Sequence, residues 1–129
     1  MSRKILVVDD DPSIREILSI QLTRLGYEVT TADDGLEAVA AFKASAPDAI
    51  LMDLMMPRLD GLASCQQIRA LEKKSGAKRT PVLFLTARDS THDKTSAALS
   101  GGDEFVTKPV SIQELRERLD AVLLKKGKP

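Results

Sequence analysis

A doubly wound α/β domain built on a five-stranded parallel sheet is the fold class this sequence predicts, and three observations carry the prediction. Short apolar runs alternate with longer stretches of helical apolar spacing five times along the chain, the pattern of repeated βα units. Three of those runs are nearly all apolar, as strands are when helices cover both faces of their sheet. The length, 129 residues, suits one domain, and 43% hydrophobic against 29% charged residues is a globular balance. The domain is expected over residues 1–125, with 126–129 a frayed basic tail.

Each element has its own signal. Ile5 to Val8 is the first strand, and the Asp-Asp-Asp-Pro that follows stops it and starts a helix. Asp11 is a good N-cap and Pro12 a good first helical residue. Ile14, Ile17, Leu18, Leu22 and Leu25 then recur at helical spacing until Gly26. Tyr27 to Ala32 reads as the second strand. Asp34-Gly-Leu-Glu37 resembles a capping box and opens a helix through about Ala44, which Pro47 and Asp48 break. Ala49 to Met52 is the third strand, ending at Asp53. Met56-Pro57 and Asp60-Gly61 form a loop before a helix from about Leu62 to Lys73. Pro81 to Leu85 is the fourth strand, ending at Thr86. A fourth helix is expected from about Thr91 to Leu99, closed by Gly101-Gly102. Glu104 to Thr107 is the fifth strand, and Ser111-Ile-Gln-Glu114 is a second capping box that opens the last helix through about Leu124.

Composition narrows the function. Lys plus Arg equals Asp plus Glu at 19 each, so the charge balance offers no footprint for nucleic acid or an anionic membrane. Cys65 is the lone cysteine, which excludes an internal disulfide and makes a reducing compartment the default. No apolar stretch approaches the ~20 residues of a membrane span, and the first strand is too short for a signal peptide. A cytoplasmic location is expected.

In open α/β sheets the ligand site lies beyond the carboxyl ends of the strands. The residues there are Asp9 and Asp10 after the first strand, Asp53 after the third, Thr86 after the fourth and Lys108 after the fifth. Two carboxylates about 4 Å apart repel by about 4 kcal/mol at an effective dielectric near 20, so three together need cations. Lys108 can supply one charge, and a hard divalent ion such as Mg²⁺ suits the remaining oxygens. The same parts serve phosphoryl transfer: a carboxylate nucleophile, cations for the transferring oxygens, and a hydroxyl to hydrogen-bond the product.

Five pieces in order, Ile5-Leu-Val-Val-Asp-Asp10, Leu51-Met-Asp53-Leu-Met-Met-Pro57, Asp60-Gly61, Leu85-Thr86-Ala87 and Phe105-Val-Thr-Lys108-Pro109, resemble the receiver domain of two-component response regulators over nearly the whole chain. The resemblance implies a flavodoxin-like (βα)5 fold with strand order 2-1-3-4-5, the order of the chemotaxis receiver. It implies Asp53 as the phosphoacceptor and Mg²⁺ held by Asp10, by Asp9 through water, by Asp53 and by the Met55 carbonyl. Lys108 would pair with Asp53 and then with the phosphoryl group, ahead of a cis bond to Pro109. Thr86 and Phe105 would be the switch pair, reported on the surface of the fourth helix, fifth strand and fifth helix. The implied donor is a histidine kinase or a histidine phosphotransfer protein, and the output a downstream protein target. Met55 and Arg88 lie where receivers vary, and Met55 is expected to shield the phosphoryl group from water.

Other readings are weaker. Receiver-like interaction modules that are never phosphorylated usually lack one of the acidic, threonine or lysine positions, and this chain keeps them all. A haloacid-dehalogenase-type phosphatase needs an Asp two residues after its nucleophile, where Met55 stands. Gly-Gly-Asp-Glu-Phe105 spells the diguanylate cyclase signature, but it occupies the receiver slot just before Lys108-Pro109. The protein is therefore not expected to be an enzyme in the usual sense, only one that phosphorylates and dephosphorylates its own Asp53. His92 reads as a surface residue and Cys65 as core filler. A monomer or weak dimer is expected, with Asp103, Glu104 and Arg118 as the charges available to a dimer. Ending one helix after Lys108 fits either a complete single-domain regulator, slightly favoured by Met1, or a receiver cut from a longer regulator or hybrid kinase.

Overall fold

The computed structural model describes residues 3–54, 60–86, 95, 98–107 and 111–127. Its elements run β1 (Lys4–Val8), α1 (Pro12–Arg24), β2 (Glu28–Ala32), α2 (Gly35–Ser45), β3 (Ala49–Asp53), α3 (Gly61–Ser75), β4 (Val82–Thr86), β5 (Glu104–Thr107) and a C-terminal helix (Ile112–Gly127). All four ladders are parallel, and the sheet order is β2-β1-β3-β4-β5, as expected. The expected helix at Thr91–Leu99 lies mostly outside the described residues; Thr95, Ala98 and Leu99 are helical.

Alternation along the central strands splits the core in two. Ile5, Val7, Leu51, Leu83, Leu85 and Val106 pack with Leu18 and Leu22 of α1 and Leu115 and Leu119 of the C-terminal helix. Leu6, Val8, Ile50, Met52 and Phe84 face the other way, onto Ala38 of α2 and Cys65 and Ile68 of α3. Successive side chains of a strand point to opposite faces, so one continuous apolar run feeds both layers.

Side-chain caps set where most helices start. Asp11 accepts from the Ser13 N–H at 2.9 Å, with Pro12 opening α1. Asp34 accepts from Glu37 N–H at 2.9 Å, and Asp60 from Ala63 N–H at 2.8 Å. Ser111 accepts from Glu114 N–H at 3.0 Å. Each satisfies a first-turn donor that has no partner inside its helix.

The Glu37 carboxylate reaches back over the helix start and accepts from the Asp33 N–H at 3.3 Å, one residue upstream of the cap. Two details depart from the sequence reading. Helix α3 begins at Gly61, not after it, because Asp60 is the cap. The last helix continues to Gly127 and takes in residues assigned to the tail.

Candidate metal and phosphoacceptor site

The strand ends bring the acidic residues to one edge. Val8 of β1 is level with Met52 of β3, so Asp9 follows at the height of Asp53. Asp53 lies beside Leu85, and Thr86 closes β4 opposite Thr107. One carboxylate oxygen each from Asp9, Asp10 and Asp53 lies within 4.8 Å of the others. Asp9 is buried, Asp53 half-buried and Asp10 exposed.

The local chain holds these groups in place. The Asp9 carboxylate accepts from the Asp11 N–H at 3.0 Å, and the Asp9 N–H donates to the Ala32 carbonyl at 3.2 Å. Behind Asp53, the Gly61 N–H donates to the Leu54 carbonyl at 3.0 Å. A β-carbon on Gly61 would stand only 2.5 Å from the Asp53 carbonyl oxygen, so this position has room for glycine alone. Asp60-Gly61 therefore does two things: Asp60 caps α3, and Gly61 lets its first turn press against the end of β3.

Like charges this close repel by up to about 3–4 kcal/mol per pair at an effective dielectric near 20, less where Asp10 meets solvent. Oxygen donors on short side chains that converge in this way fit a hard divalent cation, which prefers one or two carboxylates with waters and phosphate oxygens. The donor set passes that test on chemistry and on spacing.

Thr86 is 1% exposed, at the end of β4 on the same sheet edge. Phe105 is half-buried in β5, opposite Phe84, and packs against the α2/α3 side of the core. Met55, Arg88, His92, Lys108 and the Lys108–Pro109 bond lie outside the described residues. The Gly-Gly-Asp-Glu-Phe segment forms a turn at Gly101, with φ +99°, that leads into β5, a strand paired in parallel with β4.

Sequence reasoning missed two features. Arg15 of α1 donates to the Asp9 carbonyl at 2.6 Å, placing a guanidinium against the main chain of the acidic loop. At the opposite end of the sheet, Arg69 donates to the Gly101 and Thr80 carbonyls and pairs with Glu72 at 2.8 Å and Asp103 at 2.9 Å. Glu72 also accepts from the Thr80 N–H at 2.6 Å, and Asp103 from the Val82 N–H at 2.9 Å and from Arg79. The Arg69/Glu72 spacing of three was the one available signal. Asp103 and Glu104, considered for a dimer, have partners within the chain; Glu104 pairs with Arg118 at 2.6 Å.

A parallel (βα) sheet of order 2-1-3-4-5 defines the flavodoxin-like class of doubly wound folds, and the carboxylate cluster lies at the carboxyl edge where that class places its ligands. The chain belongs to the response regulator receiver domain family, whose model matches residues 5–120. It is 44% identical over 129 residues to the response regulator MprA of Mycobacterium bovis, covering all of this chain and 54% of that protein. The chain thus spans about half the length of the curated relatives it matches. The chemotaxis protein CheY4 of Vibrio cholerae superposes with a TM-score of 0.85 at 35% identity, over 95% of this chain and 99% of that one. The receiver domain of a sensor histidine kinase from Pseudomonas aeruginosa PAO1, described with a magnesium ion coordinated in its active site cleft, superposes with a TM-score of 0.85 at 33% identity, over 95% and 98%.

Proposed function

We propose that the chain accepts a phosphoryl group on Asp53 in a pocket loaded with Mg²⁺ by Asp9, Asp10, Asp53 and the Met55 carbonyl. The observation that carries this reading is the convergence of three carboxylate oxygens within 4.8 Å at the sheet edge. Mg²⁺, when bound, supplies positive charge to the oxygens of the transferring group. An Asp53 oxygen attacks phosphorus, the P–N bond of a donor phosphohistidine breaks, and the imidazole leaves with the bonding pair. Lys108 neutralises the phosphoryl oxygens, and the Thr86 hydroxyl donates a hydrogen bond to the product. Water later attacks phosphorus, releasing inorganic phosphate and restoring the Asp53 carboxylate. Met55 slows that step by shielding.

The donor is a histidine kinase or histidine phosphotransfer protein in the cytoplasm, and a protein target reads the state of Thr86 and Phe105. The receiver family of the chain supports the partner class. Among the described residues no helix is long and apolar enough to cross a membrane.

Incubation with Mg²⁺ and acetyl phosphate, read by intact mass, tests the reading. One added phosphoryl group is expected, lost in Asp53→Asn and in EDTA. No gain with any donor would leave an interaction module with the receiver fold.

A further inference from the structure

Asp10 is the exposed member of the acidic cluster, so packing does not set where its carboxylate points. The main chain before it does. The Asp9–Asp10 peptide is planar, so holding the Asp9 carbonyl also fixes the direction in which the Asp10 N–Cα bond leaves. That carbonyl accepts from Arg15 Nη1 at 2.6 Å. Arg15 is itself half-buried, and its own N–H donates to the Asp11 carbonyl at 3.1 Å in the first turn of α1. Helix α1 thus reaches back through one guanidinium to the peptide that carries the exposed ligand.

We infer that Arg15 is a positioning residue for metal loading: it holds the Asp9–Asp10 peptide so that the Asp10 carboxylate meets those of Asp9 and Asp53. The inference rests on the Mg²⁺ reading above and deepens it. Two effects of opposite sign compete. As a cation near the cluster, Arg15 repels Mg²⁺; as an anchor, it preorganises a ligand. The short bond to a neutral carbonyl makes the anchor the larger effect. Groups that orient metal ligands from outside the coordination shell typically change affinity 10–100-fold, and Arg15, acting through a peptide, belongs at the low end of that range.

Mg²⁺ titrations of the full chain, followed by backbone amide NMR, read both the fold and the affinity. Arg15→Met is expected to weaken Mg²⁺ binding about tenfold. Arg15→Lys, which keeps a donor and the charge, should recover part of that loss. Arg24→Met removes the same charge from the far end of α1 and should leave the affinity unchanged. Equal or tighter binding by Arg15→Met, or an equal loss in Arg24→Met, overturns the inference while wild-type binding stands. If Arg15→Met does not fold, Arg15→Gln takes its place with the same expected direction. A wild type that binds no Mg²⁺ overturns the parent reading as well, so the two failures are told apart.

Discussion

Replacing Gly61 with alanine tests how the end of β3 is held. The added β-carbon would lie 2.5 Å from the Asp53 carbonyl oxygen, 3.1 Å from the Leu54 α-carbon and 3.1 Å from Phe84 Cε1. Two of those three neighbours are backbone and cannot rotate away. Relief requires the first turn of α3 or the end of β3 to shift by roughly 0.5–1 Å, and overpacking of this kind costs about 1–3 kcal/mol. Alanine returns up to about 1 kcal/mol of helix propensity, less at the first helical position. The net loss is about 1–2 kcal/mol, which for a chain of this length lowers Tm by about 3–10 °C. Thermal unfolding by circular dichroism measures it. The displaced Asp53 should also take up acetyl phosphate more slowly. A variant with unchanged or raised Tm would mean the helix gain outweighs the clash, and the steric reasoning would be wrong.

Two further outcomes follow from burial. Glu72→Ala strands the buried Thr80 N–H, which Glu72 bonds at 2.6 Å, while Arg69 keeps Asp103 and the Gly101 and Thr80 carbonyls; the change should cost about 1–3 kcal/mol in chemical denaturation, and a loss under about 0.5 kcal/mol would show that N–H finding water instead. Cys65 is fully buried, and burial pushes its thiol pKa up to about 11. Thiol reagents at neutral pH should therefore label the protein only after denaturant is added, and rapid labelling of the native chain would contradict the packing described here.

Features that depend on a local cue could be read before the structure. Among the described helices, three starts announce themselves through Asp11, Asp34 and Ser111, because a cap acts on N–H groups two or three residues away. The strands announce themselves because a parallel sheet buried on both faces needs uninterrupted apolar runs such as Leu51-Met52 and Val82-Leu-Phe84-Leu. Asp9, Asp10 and Asp53 were legible because strand ends in this fold share an edge. What stayed hidden depends on distance in sequence. Arg69 meets Asp103 across 34 residues, and nothing near either one indicates the other. Arg15 looks like any arginine on a solvated helix until its contact with the Asp9 carbonyl is seen. Gly61 looked like a loop residue because a steric need for glycine leaves no trace in spacing.

The strand order also has a kinetic consequence. Parallel neighbours must be joined by crossovers, so each ladder closes a long loop: Lys4 pairs with Glu28, Leu83 with Glu104, Ile50 with Val82, and Ile5 with Ala49. The last of these, β1 with β3, spans the most chain, and closing long loops is the slow, entropically costly part of folding. The first of those strands leads into Asp9 and the second ends in Asp53. The acidic pocket therefore does not exist until the most distant pairing in the sheet has formed, and a cation that binds it acts on the finished topology while giving no help to the search that precedes it.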